Sequence, residues 1–446
     1  MRRGRIDIIT MGCSKNLIDS ERLICRLEEK GYEAVHNSEE PTGEFVVVNT
    51  CGFIGDAKEE SINLILKLCS LKNQGDIGKL IIMGCLSERY RKELPEEIPE
   101  VDEWYGKFDW KGLLEKLPCA EKETNPSDTE KAQKKPDWER KLTTPPWSAY
   151  IKVSEGCDRF CAYCAIPLIT GRHKSRPIEE ILEETKSLVK RGVKEFNIIA
   201  QDLSSYGIDL YGEQKLPELI DRMASIEGVE WIRLHYLYPT DFPYGILEVI
   251  RRNDNVCKYL DIALQHVSDN VLQGMNRKIT KQETLQLLER IRKEVPGIHI
   301  RTTIMTGFPG EDEKAFEELK DFVKTQRFER LGGFAYSEED DTLAAKTLAD
   351  NIPQETKEER LSVIMDLQQE ISEENNLKQI GKVMNILLEE IHDGYAIGRS
   401  EFDSPEVDQE VFIEGCNAQP GTFVKVKITE ASPFELRGVE VNRQTV

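Results

Sequence analysis

Near its N-terminus the chain repeats one pattern three times: an apolar run, a cysteine, then a charge-bearing stretch of helical period. The runs are residues 5–10, 45–50 and 80–83, the cysteines Cys13, Cys51 and Cys85, and the helical stretches 17–30, 56–71 and 87–94. Apolar runs alternating with amphipathic helices predict strand–helix units of a parallel sheet covered on its faces. In such a sheet all three cysteines fall at one edge, each opening a helix. Open parallel sheets gather their ligands there, beyond the carboxyl ends of the strands.

Residues 121–146 carry charge and Pro without apolar period and read as an interdomain linker. Six apolar runs then alternate with helical patterns, at 150–153, 195–200, 231–236, 259–264, 299–305 and 331–336, which predicts a partial (βα)6 barrel. The runs end in polar residues: Cys157, Gln201 with Asp202, His235, Gln265 with His266, and the turn 306–311. Such positions are where barrel enzymes place their chemistry. A polar helix follows Pro353, with Leu361, Ile364, Leu367 and Ile371 on one face. Beyond it, five short strand candidates at 383–388, 395–398, 410–413, 423–428 and 436–441 are separated by Gly, Pro and Asp turns and predict a small antiparallel barrel. The division expected is therefore 1–120, a linker 121–146, a core 147–375 and a terminal barrel 376–446.

Charge narrows the functional classes. With 60 Lys and Arg against 81 Asp and Glu, the net charge is −21, which argues against an extended grip on nucleic-acid phosphate and favours a basic partner. No apolar stretch approaches the roughly 20 residues that span a bilayer. The basic start Arg2-Arg3 leads into a run broken by Asp7, with no small-residue cleavage site after it, so no signal peptide is expected and the cytoplasm is the default. Eleven cysteines, an odd number without an export signal, point to thiolate chemistry or buried thiols rather than to a disulfide framework.

The sharpest signal is Cys157-Asp158-Arg159-Phe160-Cys161-Ala162-Tyr163-Cys164, a C-x₃-C-x₂-C triplet just after a predicted strand. Three thiolates hold three irons of a four-iron cubane and leave the fourth open to an outside ligand. A zinc site completed by His173 and a thioredoxin-like pair at Cys161 and Cys164 are the other readings of these residues. Cys13, Cys51 and Cys85 are individually ordinary, since a lone cysteine after a strand is most often a small buried hydrophobe, but three in register suggest a second cluster. Cys25, Cys69, Cys119, Cys257 and Cys416 have no such placement and read as structural.

The triplet resembles the signature of the radical S-adenosylmethionine superfamily. The order of a three-cysteine domain, a radical core and a TRAM-like barrel resembles the methylthiotransferase family over essentially the whole chain. Met11-Gly12-Cys13-Ser14-Lys15-Asn16-Leu17-Ile18-Asp19-Ser20-Glu21 and Gly398-Arg399-Ser400-Glu401-Phe402-Asp403-Ser404-Pro405-Glu406-Val407-Asp408 are similar to its RimO branch, which usually has Pro where Ser14 stands and Thr where Ser400 stands. The resemblance implies an α/β multidomain fold: a flavodoxin-like open parallel sheet, a partial (βα)6 radical core and a C-terminal TRAM barrel. It implies two 4Fe–4S clusters, one at Cys157, Cys161 and Cys164 and one at Cys13, Cys51 and Cys85. It further implies S-adenosylmethionine both as methyl donor and as source of a 5′-deoxyadenosyl radical, and an electron donor such as a flavodoxin or ferredoxin. The substrate it implies is an aspartate of small-subunit ribosomal protein S twelve, methylthiolated at its β-carbon. Tyr163 stands where the superfamily usually has an aromatic beside the adenine, and Gln201, Gln265 and Arg301 are candidate cofactor contacts because they stand on or just past strand ends. His235 and His266 read equally as core histidines, and the glycines of the turn 306–311 as turn formers. Residues 376–446 hold seven Lys or Arg against twelve Asp or Glu, a balance of −5 that suits a basic protein better than tRNA. A tRNA adenosine methylthiotransferase, and a non-catalytic iron–sulfur or zinc protein, are the alternatives.

Overall fold

The computed structural model describes residues 2–120 and 135–441. The first fourteen residues of the predicted linker, 121–134, lie outside the described residues. Two compact units emerge: Met1–Thr144 with Glu155–Asp158 and Ala165–Arg172, and Pro145–Ser154 with Arg159–Cys164 and His173–Val446.

The first unit is a five-stranded sheet of β1 (Arg2–Thr10), β2 (Glu33–His36), β3 (Gly43–Thr50), β4 (Lys79–Gly84) and β5 (Glu103–Trp104) in the order β2-β1-β3-β4-β5. Every neighbouring pair is parallel. This is the doubly wound order of flavodoxin-like sheets, whose topological switch point lies between β1 and β3. Alternate residues are buried on both faces: Ile6, Ile8, Phe45, Val47 and Ile81 form one core, and Val46, Val48, Leu80 and Ile82 the other. That two-sided burial is why the runs read as continuously apolar. Asp7, the charge that interrupts the first run, is buried, accepts from the backbone N–H of Thr42 and Gly43, and pairs with Arg5. Within the described part of the predicted linker, 135–146, residues 139–143 dock on helix Ser14–Glu29 through Arg140 and Thr143, which both bond Glu21.

The second unit contains six parallel strands, β6 (Ser148–Lys152), β7 (Glu195–Ile199), β8 (Trp231–Leu237), β9 (Val256–Gln265), β10 (His299–Thr306) and β11 (Arg330–Ala335), paired in chain order. The long helix Gln354–Leu377 starts at the carboxyl end of β10, where Thr306 donates to the Lys357 carbonyl at 3.0 Å. It ends at the terminal barrel, where Asn376 Nδ2 bonds Gln409 at 2.7 Å and the Ser432 carbonyl at 2.8 Å. Five strands close that barrel: β12 (Val383–His392), β13 (Tyr395–Ser400), β14 (Glu410–Glu414), β15 (Phe423–Ala431) and β16 (Glu435–Glu440). Four of its five pairings are antiparallel as expected; β14 and β16 pair in parallel.

The terminal barrel packs on the amino ends of the core strands through buried charge. Arg399 bonds Glu195, the first residue of β7, at 2.7 and 3.1 Å, and Arg330, the first of β11, bonds Asp403 at 2.5 and 3.1 Å. Tyr259 and Arg301 both reach Asp408, and His299 stacks on Phe402 with ring centroids 4.0 Å apart. No described helix is long and apolar enough to cross a membrane.

Candidate iron–sulfur and cofactor site

In the first unit Cys13 follows β1 and Cys51 follows β3, so these two flank the switch point, while Cys85 follows β4. Gly12 makes their approach possible: its φ is +85°, and a Cβ there would stand 2.7 Å from Cys51 Cβ and 2.8 Å from its Sγ. Asn16 ties the three ends together. Its Nδ2 donates to the carbonyls of Met11 and Thr50 at 3.1 and 3.0 Å, and its Oδ1 accepts from Cys85 Sγ at 3.5 Å and from Lys107 Nζ at 3.2 Å. Lys107, only 4% exposed, also donates to Asp19 at 3.2 Å.

The three thiols differ electrostatically. Burial pushes Cys13 up, but Lys15, Lys107 and the N–H groups of Asn16 and Lys15 outweigh it, so its pKa falls below the usual thiol value. Cys13 is the N-cap of helix Ser14–Glu29, whose free amides favour an anion. Cys51 does not open a helix as expected: three residues separate it from helix Gly55–Gln74, and burial raises its pKa. Cys85 starts only the short helix Cys85–Arg89, because the predicted helix 87–94 breaks into two turns; burial raises this thiol to about 11. Two thiols held neutral by burial bind as thiolates only when a metal replaces the proton.

The triplet stretch begins at Gly156, whose φ is +79° and where a Cβ would stand 2.1 Å from the Arg172 carbonyl oxygen. Cys157 N–H donates to the Gly171 carbonyl at 3.2 Å. Cys161 and Cys164 close a tight turn, Cys164 N–H donating to the Cys161 carbonyl at 3.0 Å. Residues 275–277 hold this turn from outside. Ala162 N–H donates to the Met275 carbonyl at 2.8 Å, Asn276 Nδ2 donates to the Phe160 carbonyl at 2.8 Å, and Arg277 donates to Tyr163 Oη at 3.1 Å. Tyr238 lies between two guanidiniums, those of Arg159 and Arg277, each 4.4 Å from its ring centroid, and its hydroxyl is 3.5 Å from Cys161 Sγ. Phe160, Tyr236, Gln265 and Asn276 all have positive φ, a concentration of non-glycine backbone strain typical of functional sites.

Of the other candidates, Gln201 stands just past β7 and Gln265 is the last residue of β9. Gln265 is 7% exposed, and its buried Oε1 has no hydrogen-bond partner among the described residues. Tyr163 packs edge-on against Phe308. Arg301 is instead only the third residue of β10, near its amino end, and is engaged by Asp408 at 3.3 Å, which corrects the expectation that it stands at a strand end. His235 bonds Asn197 at 3.3 Å inside the core. His266 accepts from Ser268 N–H at Nδ1, which puts its proton on Nε2, 3.2 Å from Glu311. Glu311 also accepts from Gly307 N–H and from Arg360, so the turn 306–311 is closed by its own carboxylate. Sequence reasoning missed Asn16, Lys107, Tyr238 and Arg277; only their burial singles them out.

Among the described residues neither trio is assembled as a single-ion site. All six cysteines are free thiols, His173 is bonded to Ser175 at 3.1 Å, and among the described residues no three His, Cys, Asp or Glu side chains converge on one ion. A cubane spreads its thiolates over separate irons. Cys25, Cys69, Cys257 and Cys416 are buried, in keeping with a packing role.

Residues 151–323 match the Radical SAM superfamily, residues 5–106 the Uncharacterized protein family UPF0004, and residues 380–441 the TRAM domain. The chain is 58% identical over 440 residues to the ribosomal protein uS12 methylthiotransferase RimO of Bacteroides fragilis, covering 98% of this chain and 99% of that one. It is 54% identical over 439 residues to the RimO of Porphyromonas gingivalis, covering 98% and 99%. Among solved structures, the radical S-adenosylmethionine methyltransferase TsrM of Kitasatospora setae superposes with a TM-score of 0.53 at 15% identity, over 74% of this chain and 72% of that one, a likeness of fold alone.

Proposed function

The chain belongs to the RimO family of radical S-adenosylmethionine methylthiotransferases, and from that premise we propose that it methylthiolates the β-carbon of an aspartate in small-subunit ribosomal protein uS12. The observation that carries this reading is the pair of thiol trios: Cys13, Cys51 and Cys85 beyond the strands of the flavodoxin-like sheet, and Cys157, Cys161 and Cys164 after β6. Each trio would hold one 4Fe–4S cluster. A cluster held by Cys157, Cys161 and Cys164 would supply, with S-adenosylmethionine, the one-electron chemistry needed to take a hydrogen atom from a carbon whose pKa lies beyond any side-chain base.

The protein's own residues bind and orient. Gln265 Oε1 offers a buried acceptor to an amine or hydroxyl of the cofactor, Tyr163 an aromatic edge, and Gln201 a polar group just past β7. Asn16 and Gly12 hold the first trio in register. A second S-adenosylmethionine would supply the methyl group, and a low-potential flavodoxin or ferredoxin the electron. The acidic terminal barrel, 376–446, suits a basic ribosomal protein in the cytoplasm. The division into 1–120, 147–375 and 376–446 assigns one task to each part: sulfur, radical and partner.

The test is mass spectrometry of uS12 incubated with anaerobically loaded enzyme, reductant and S-adenosylmethionine. A methylthio mass gain on one aspartate is expected; an unshifted protein, with modified tRNA in a parallel incubation, would reject the assignment.

A further inference from the structure

Arg277 is a buried guanidinium, 4% exposed, and it is unlike the other buried arginines of its unit. Arg233 and Arg399 share Glu195, and Arg330 holds Asp403. Among the described residues Arg277 pairs with no carboxylate. Its fork is spent on the Tyr163 hydroxyl, the Ala263 carbonyl and, at 3.8 Å, Cys161 Sγ, while its Nε has no hydrogen-bond partner among the described residues. A charge removed from water without a counterion is unfavourable unless another anion stands beside it. Among the described residues, the only anionic group its contacts offer is the thiolate that Cys161 would become on ligating iron.

We propose that Arg277 is a positioning residue whose fixed positive charge, set against Cys161 and oriented by the Tyr238 ring and the Tyr163 hydroxyl, holds the reduction potential of the cluster at Cys157, Cys161 and Cys164 high enough for the physiological donor to reduce it. The inference rests on the reading that this trio holds a 4Fe–4S cluster. Reduction adds one negative charge to the cluster, and a nearby cation favours the more negative state, so removing the cation lowers the potential. Lys107 near the first trio differs, because Asp19 already balances it.

The test uses full-length protein in which Cys13→Ala, Cys51→Ala and Cys85→Ala leave one cluster to observe. Arg277→Gln and Arg277→Lys are loaded anaerobically, iron and sulfide are counted, and the reduced fraction is read by electron paramagnetic resonance across a potentiometric titration. Arg277→Gln is expected to lower the reduced-to-oxidised ratio at fixed potential about tenfold, a shift of about 59 mV for one electron, while Arg277→Lys stays within about twofold of the parent. A loaded Arg277→Gln with the parental midpoint, or an Arg277→Lys shifted as far as Gln, overturns the proposal and leaves Arg277 a strut for the turn. If Arg277→Gln takes up no iron, Arg277→Lys decides: loading with a near-parental midpoint supports the charge role, and an empty site overturns it. A parent that takes up no iron sinks the cluster reading itself, and this inference with it.

Discussion

Arg399 is the best place to test how the terminal barrel is fastened to the core. Its guanidinium makes five hydrogen bonds, to both oxygens of Glu195, twice to Glu389 Oε1, and to the Asp403 carbonyl, with only 2% of the side chain exposed. Glu195 is wholly buried; burial opposes its ionisation, but Arg399 and Arg233 reverse this and hold its carboxyl far below the usual range. Breaking a buried pair by removing one partner costs about 3–5 kcal/mol. After Arg399→Met, Glu195 keeps Arg233 at 3.2 Å and Ser148 at 2.7 Å, and the partly exposed Glu389 regains water, so the lower end, about 3 kcal/mol, is expected. With a urea m-value of roughly 3 kcal/mol/M, the midpoint should fall by about 1 M. Tryptophan fluorescence reports it, since Trp147 and Trp231 pack with Leu387 and Phe423 at this junction. Arg399→Lys, which keeps the charge and loses the fork, should cost about half as much. Adding Glu195→Gln to Arg399→Met should cost less than the sum of the two by about 1–3 kcal/mol. A midpoint drop below about 0.3 M, or strict additivity, would refute the closed buried latch.

Three further outcomes are expected. Replacing Cys13, Cys51 and Cys85 together by Ala should halve iron and sulfide per chain and abolish methylthiolation, while reductive cleavage of S-adenosylmethionine persists; undiminished iron would place the second cluster elsewhere. Gly12→Ala must accept both a positive φ and a clash with Cys51, a strain of about 1–3 kcal/mol, and should lose the first cluster selectively; iron counts equal to wild type would show the loop can yield. His299 is held neutral chiefly by burial and then by Arg330, Lys382 and Arg292, its pKa well below 6.5. The unfolded chain therefore takes up a proton that the folded one refuses, so stability falls as pH drops below about 6.5. His299→Phe should flatten that slope between pH 7.5 and 5.5 in urea melts, and an unchanged slope would acquit His299.

What could be read from the sequence follows from how each feature is encoded. The strand–helix repeats were legible because buried parallel strands are continuously apolar, and all six core runs lie within a few residues of the strands observed. β2 and β5 were missed: four and two residues carry too little period to stand out. That Cys13, Cys51 and Cys85 each follow a strand was legible, but whether Cys51 opens a helix depends on a three-residue loop that no periodicity records. Arg301 misled because a strand in sequence has no marked end, whereas in space its third residue and its last face opposite partners. Arg277 and Lys107 were invisible, since a lone cation shows its burial only when chain segments distant in sequence close around it.

The helix Gln354–Leu377 has one more implication. Its 24 residues, rising 1.5 Å each, make a rod of roughly 36 Å, pinned at one tip beside Thr306 and at the other beside Gln409. Whatever clasps the terminal barrel is thus kept at a set remove from the mouth where the core strands finish. On the function proposed above, choice of client and treatment of its reacting carbon would be separate faculties, and a graft of the barrel would reroute the enzyme to new clients without retuning its radical step.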